Sequence, residues 1–155
     1  VYVGLDACDS ALAQRFAADG AMPNFARLLK TAARAPVDNP FGLFVGSVWV
    51  NFATALKPDR HGFYCWERID PATYEEKLYT PEVGHLPPFW AQISDSGRRV
   101  AVLDVPHTIA NRPLNGFQVV EWGTHDKHFG FHSSPPALAK QIEAEFGLHP
   151  ALSGP

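Results

Sequence analysis

Apolar residues follow two rhythms along this chain. Val1 to Leu5, Arg99 to Val105 and Gly116 to Trp122 are short runs rich in β-branched and aromatic residues, the pattern of strands covered on both faces in a parallel sheet. Ala35 to Asn39 is a further strand candidate. Between these runs apolar residues recur at helical spacing. Ala11 to Ala18 predicts a short helix stopped by Asp19-Gly20, and Pro23 opens a second with Phe25, Leu28, Leu29, Ala32 and Ala33 on one stripe. A third runs from about Ser47 to Leu56, with Val48, Phe52, Ala55 and Leu56 as its apolar face. A fourth starts at Pro87-Pro88, turns Phe89 and Ile93 inward and stops at Gly97; a fifth starts at Ser134-Pro135, carries Leu138, Ile142 and Phe146, and stops at Gly147. Phe63 to Tyr79 mixes aromatics, charge and Asp70-Pro71, which predicts an irregular surface excursion with room for one strand.

Helices alternating with apolar strands predict an α/β fold: a layered, mostly parallel sheet with helices on both faces. Function in such sheets gathers beyond the carboxyl ends of the strands. The 155 residues fit one domain, and a chain of that size buries roughly 70% of the surface its unfolded form exposes. The net charge is −3, from 13 basic and 16 acidic residues, and the basic ones are scattered, so nucleic acid is not expected as a main partner. Cys8 and Cys65 are too few for a disulfide framework or a four-cysteine zinc site and read as two free, partly buried thiols. No apolar run approaches the ~18 residues of a membrane span and no charged-then-apolar leader precedes the first strand, so neither a transmembrane helix nor a signal peptide is expected within this chain. The chain begins in a strand-like run without Met and stops soon after a helix, so both ends read as cut.

Asp6 follows directly on the first apolar run, where a carboxylate would be aimed at the crevice beyond the sheet and could ligate a divalent cation. A helix N-cap or turn carboxylate before Ser10 is the plainer alternative. Ser47 lies at the first turn of its helix, where unpaired N–H groups and the dipole favour an alkoxide or a phosphate, although Ser also fills an N-cap there. Thr54 reads as a packed or back-bonded hydroxyl. In the turn Pro58-Asp59-Arg60-His61-Gly62, His61 reads as a structural hydrogen-bonding histidine and Arg60 as a solvated turn arginine. His125, Asp126, His128 and His132 form the densest cluster of ligand-type side chains, in a loop containing Gly123, Phe129 and Gly130, and the readings are surface histidines, substrate contacts or a self-contained metal site.

Together these segments resemble the alkaline phosphatase superfamily, in its branch of type I phosphodiesterases and nucleotide pyrophosphatases. Val3 to Ala7, Val-Gly-Leu-Asp-Ala, is similar to the family's first strand with its metal-binding Asp, and Gly20 to Leu29 to the segment in which Pro-Asn precedes a Leu-bearing helix. Trp49, Phe52-Ala53-Thr54-Ala55 and Pro58 through Gly62 resemble the signature Trp-Thr-Ser-Phe-x-Thr-Gly-x-x-Pro-x-x-His-Gly in order and spacing. Two departures stand out: Ala55 replaces the usual Gly, and Val50-Asn51 replaces Thr-Ser. An ungapped match puts Val45 at the nucleophile position, and Ser47 is the nearest hydroxyl.

The resemblance implies an alkaline-phosphatase-like catalytic domain of which residues 1–155 are one N-terminal portion, incomplete in its active site. It implies two divalent metal ions, commonly zinc, with Asp6 and Ser47 as metal ligands, Ser47 as the nucleophile, and a small-molecule phosphate ester or phosphodiester as substrate. The rival expectation is a noncatalytic relative that binds an anion or a partner through the same helix start.

Overall fold

The computed structural model describes residues 1–37, 45–65, 67–78, 86–123 and 129–150. The chain divides into two compact units, Val1–Asp38 and Asn39–Pro155. The first holds α1 (Ser10–Ala18) and α2 (Pro23–Leu29). Asp9 caps α1, its carboxylate accepting the Leu12 N–H at 2.7 Å, and Pro at the first helical position opens α2, where its missing N–H costs nothing. Only Ala13 and Ala17 of α1 are buried and no residue of α2 is, so this helix pair has little core of its own. The stripe expected on the second helix is cut short, because α2 ends at Leu29, before Ala32 and Ala33.

Val1 to Leu5 is not a strand. No ladder reaches these residues among those described, and Val1, Tyr2, Val3 and Leu5 are each at least 61% exposed. A β-rich run has the capacity for a strand, but a strand exists only where a neighbour supplies hydrogen bonds and cover. Residues 35–37 are likewise outside any strand, and the rest of that candidate lies outside the described residues. Cys8 is exposed and Cys65 half-buried, both as free thiols.

The second unit contains α3 (Val45–Thr54), α4 (Pro58–His61), β1 (Glu67–Ile69), β2 (Glu76–Leu78), α5 (Phe89–Asp95), β3 (Val100–Leu103), β4 (Gly116–Val120), β5 (His132–Ser134) and α6 (Ala137–Phe146). Its architecture is α/β, with small sheets among the described residues. The expected excursion after Phe63 is an antiparallel hairpin of β1 and β2, and β3-β4-β5 form a mixed sheet in which β3 and β4 run parallel and β5 antiparallel to β4. β5 falls where the sequence suggests a loop at His132 and a helix start at Ser134-Pro135; its strand character comes from pairing with Gln118–Val120.

The parallel register begins with Val100 opposite Gly116. Gly116 sits at φ 142°, and a Cβ built there would lie 1.8 Å from the Val100 carbonyl oxygen, so no other residue fits without moving the β3 backbone. Helix α5 delivers the chain to β3. Gly97 terminates it at φ 83°, donating to the Ser94 carbonyl while Arg98 donates to Ile93. Its buried side is Trp90, Ala91 and Ser94, whereas Ile93, expected inward, is 41% exposed. Among the described residues the core shows two clusters. Val50 and Phe63 pack with Leu86, and Ala53, Trp90 and Val102 pack with Phe52, Phe89, Val105 and Leu114. Helix α6 half-buries Leu138 and Ile142 and leaves Phe146 exposed.

Candidate functional site

Helix α3 begins at Val45, two residues earlier than the pattern suggests, which makes Ser47 its third residue. The buried face is Ser47, Val50 and Ala53, spaced by three, rather than Val48, Phe52, Ala55 and Leu56. Phe52 lies beside that face, its ring edge-on to Phe89 at 5.3 Å. This rotation of the helix explains why Ser47 is wholly buried: it occupies the same stripe as two core residues.

The end of α3 is held by side chains. Thr54 Oγ1 donates to the Val50 carbonyl at 2.7 Å and accepts the Leu56 N–H at 3.2 Å, the back-bonded role its sequence position suggests. Ala55 follows at φ 56°, a left-handed conformation that Gly occupies without strain. Pro58 then opens α4, and Gly62 closes it at φ 75° with its N–H on the Pro58 carbonyl.

His61 joins the two helices. Its Nε2 donates to Asn51 Oδ1 at 2.6 Å, and its Nδ1 accepts the Phe63 N–H at 3.0 Å. The ring is therefore neutral, and it fixes Phe63 in the core beside Val50. Burial pushes its pKa below the ordinary 6.5, partly opposed by the Asp59 carboxylate. Asp59 and Arg60 are exposed, Arg60 as a solvated turn arginine.

Asp6 is exposed in the turn that follows Val1–Leu5, next to Ala7 at φ 50°. It belongs to the first unit and Ser47 to the second. Asp6 is a hard oxygen donor in an accessible position and fits a divalent cation as one ligand; among the described residues no three His, Cys, Asp or Glu side chains converge to complete a site. His125, Asp126 and His128 lie outside the described residues. His132 is within them, with both ring nitrogens engaged: Nδ1 donates to the Gly130 carbonyl at 2.7 Å, and Nε2 accepts the Ala110 N–H at 3.2 Å.

A second constellation sits just past the carboxyl ends of the parallel strands. Asp104 follows β3 and Glu121 follows β4, at φ 48° and 57°, and His107 on the segment after β3 is at φ 56°. The Asp104 carboxylate accepts the Trp122 N–H at 2.9 Å on one oxygen and the Gly123 N–H at 2.8 Å on the other. Glu121 is 4% exposed, and both its oxygens lie within 3.1 Å of the Phe129 nitrogen. Sequence reasoning passed over this pair, although the signal that singled out Asp6, a carboxylate directly after an apolar run, marks Asp104 and Glu121 equally. A cleft opens in the same unit, with Val50 and Thr54 of α3 on one wall and His107, Thr108 and Asn111 on another.

The family model for type I phosphodiesterase / nucleotide pyrophosphatase matches residues 1–149. The chain belongs to that family. No curated protein and no solved structure matches it. In this member of the type I phosphodiesterase family, the left-handed backbone at residue 55 gives the Gly of the resembled signature a physical reason, and Ala55 occupies the position with strain.

Proposed function

We propose that the full-length protein hydrolyses a phosphate ester or phosphodiester, with Ser47 as the nucleophile and residues 1–155 supplying part of the active site. The observation that carries this reading is the family match over residues 1–149, joined to a hydroxyl in the first turn of α3. In it, Ser47 Oγ attacks phosphorus in line, the bond from phosphorus to the leaving oxygen breaks, and water then cleaves the phosphoryl-serine to regenerate the hydroxyl. The first-turn N–H groups of α3 would hold a nonbridging oxygen as charge develops. Asp6 would ligate one of two divalent ions, zinc being the family's common choice. When bound, such ions offset phosphate charge and lower the pKa of a coordinated oxygen; further ligands would come from outside the described residues.

Ser47 is entirely buried, so the reading requires substrate to reach a hydroxyl that lies on the core-facing stripe. Substituting Ser47→Ala in the full-length protein tests it. Hydrolysis of a nitrophenyl phosphodiester should be abolished with metal content nearly intact, and turnover within about two-fold of the wild type would overturn the assignment. A full-length protein with neither metal nor turnover would instead be the noncatalytic relative.

A further inference from the structure

The cleft of the second unit runs along the face of α3 that carries Ser47. Val50 and Ala53, both buried, line it from that helix together with Thr54, and Ser47 stands one turn before Val50 on the same buried stripe. Side chains three apart on a helix have their Cβ atoms about 5–6 Å apart. The α3 wall of the cleft therefore begins within reach of a substituent on a phosphorus attacked by Ser47.

The lining decides what the cleft can hold. Leu86, Pro88 and Ile109 add apolar surface, and among the described lining residues none is Lys, Arg, Asp or Glu. Two threonine protons are already committed, Thr54 Oγ1 to the Val50 carbonyl and Thr108 Oγ1 to the Val105 carbonyl, each at 2.7 Å. These hydroxyls have only lone pairs left to offer. The remaining polar side chains are the His107 ring, tilted against Phe63 at 5.4 Å between centroids, and the exposed amide of Asn111. Neither brings the fixed cation that a second phosphate needs, and a charge held without donors or cations is costly. Size narrows the choice further. The room inside is about 30 Å³, and a water-sized group takes about 10–15 Å³, so about two heavy atoms fill it.

In-line displacement puts the leaving oxygen opposite Ser47 Oγ across phosphorus. A group lying along α3 beside the nucleophile is thus one that stays on phosphorus. On the hydrolase reading above, we infer that the cleft is a subsite for the retained ester group of a phosphodiester, and that this group is neutral, apolar and small, a short alkyl of about two carbons. Val50, Ala53 and Ile109 determine that specificity. A nucleoside is rejected there by size, and a second phosphate by the lack of a cation.

The test uses the full-length protein loaded with zinc and three 4-nitrophenyl phosphodiesters whose second ester group is methyl, ethyl or phenyl. The leaving group is common, so selectivity is read as ratios of kcat/KM, which do not depend on the folded fraction. One further buried methylene strengthens binding about four-fold, so ethyl should exceed methyl by about three- to four-fold, and phenyl should fall below ethyl. Ile109→Phe fills the cleft and should bring the ethyl-to-methyl ratio to about one, whereas Ile109→Ala widens it and should raise the phenyl-to-ethyl ratio about ten-fold. Ratios flat across the series, a wild type that prefers phenyl to ethyl, or ratios unmoved in both Ile109 variants overturn this inference and leave the hydrolase reading standing. A wild type that turns over none of the three overturns the hydrolase reading and this inference with it.

Discussion

Val1–Leu5 and Val100–Leu103 are two apolar runs of nearly the same composition, each followed by an aspartate, and they end in opposite situations. Val100–Leu103 pairs residue by residue with Gly116–Val119, buries Val102 against Trp90 and Ala53, and places Asp104 where its carboxylate organises the next connection. Val1–Leu5 has no ladder among the described residues, and its side chains and Asp6 are exposed. The difference lies in the neighbours. A run of Val, Leu and aromatics supplies the capacity to be a strand, and a partner at the right register turns that capacity into burial and rigidity.

Breaking the paired run should have the largest effect. Gly116→Ala drives a Cβ into the Val100 carbonyl at a φ that L residues avoid and should cost about 4 kcal/mol in urea unfolding; a cost below about 1 kcal/mol would show that the parallel register does not hold the second unit. His61→Ala leaves the buried Phe63 N–H unsatisfied, at about 1–3 kcal/mol, and strands the half-buried Asn51 Oδ1 at the low end of that range, about 1 kcal/mol, so it should cost about 2–4 kcal/mol.

The same histidine sets a pH dependence. Its folded pKa lies below 6.5, so on acidification the unfolded chain takes up a proton that folded His61 resists, and stability is lost as pH falls below 6.5 until the folded ring itself protonates. Protonation at Nδ1 also breaks the bond from Phe63. Urea midpoints across this range should fall with pH in the wild type and fall less in His61→Gln; equal slopes would remove His61 as the cause.

A matched pair then sharpens the comparison between the two runs. Val119 is 2% exposed and Val3 is 72% exposed, so Val119→Ala should cost about 2 kcal/mol and Val3→Ala less than about 0.5 kcal/mol. Comparable losses would mean that Val1–Leu5 is packed in the protein as a strand is. The smallest effect is expected at the end of α3, where Ala55→Gly relieves a left-handed alanine and should stabilise by about 0.5 kcal/mol in calorimetry, the relief exceeding the added chain entropy.

The helix ends marked by Pro23, Gly97 and Gly147 were legible, because these residues act locally through a fixed or positive φ, whereas the end of α2 and the start of α3 fall away from their expected places. The runs that became β3 and β4 were also visible. What sequence periodicity missed depended on distant partners: β5 is a strand through its register with β4, and the burying face of α3 is set by Phe63, Trp90 and Val102, which rotates it onto Ser47, Val50 and Ala53. Among candidate site residues, Thr54 was legible because it back-bonds within its own helix, and His61 because it takes the N–H of Phe63 two residues on. Asp104 and Glu121 carry the same signal as Asp6, a carboxylate after an apolar run, but nothing in the sequence announces their positive φ.

Chelation with add-back tests most directly the proposal that the full-length protein is a metal-dependent hydrolase of a phosphate ester or phosphodiester. Turnover of a nitrophenyl phosphodiester should disappear when divalent metal is stripped and return when zinc is restored. Turnover that survives complete metal removal, or that is absent at every zinc concentration tried, would contradict the account.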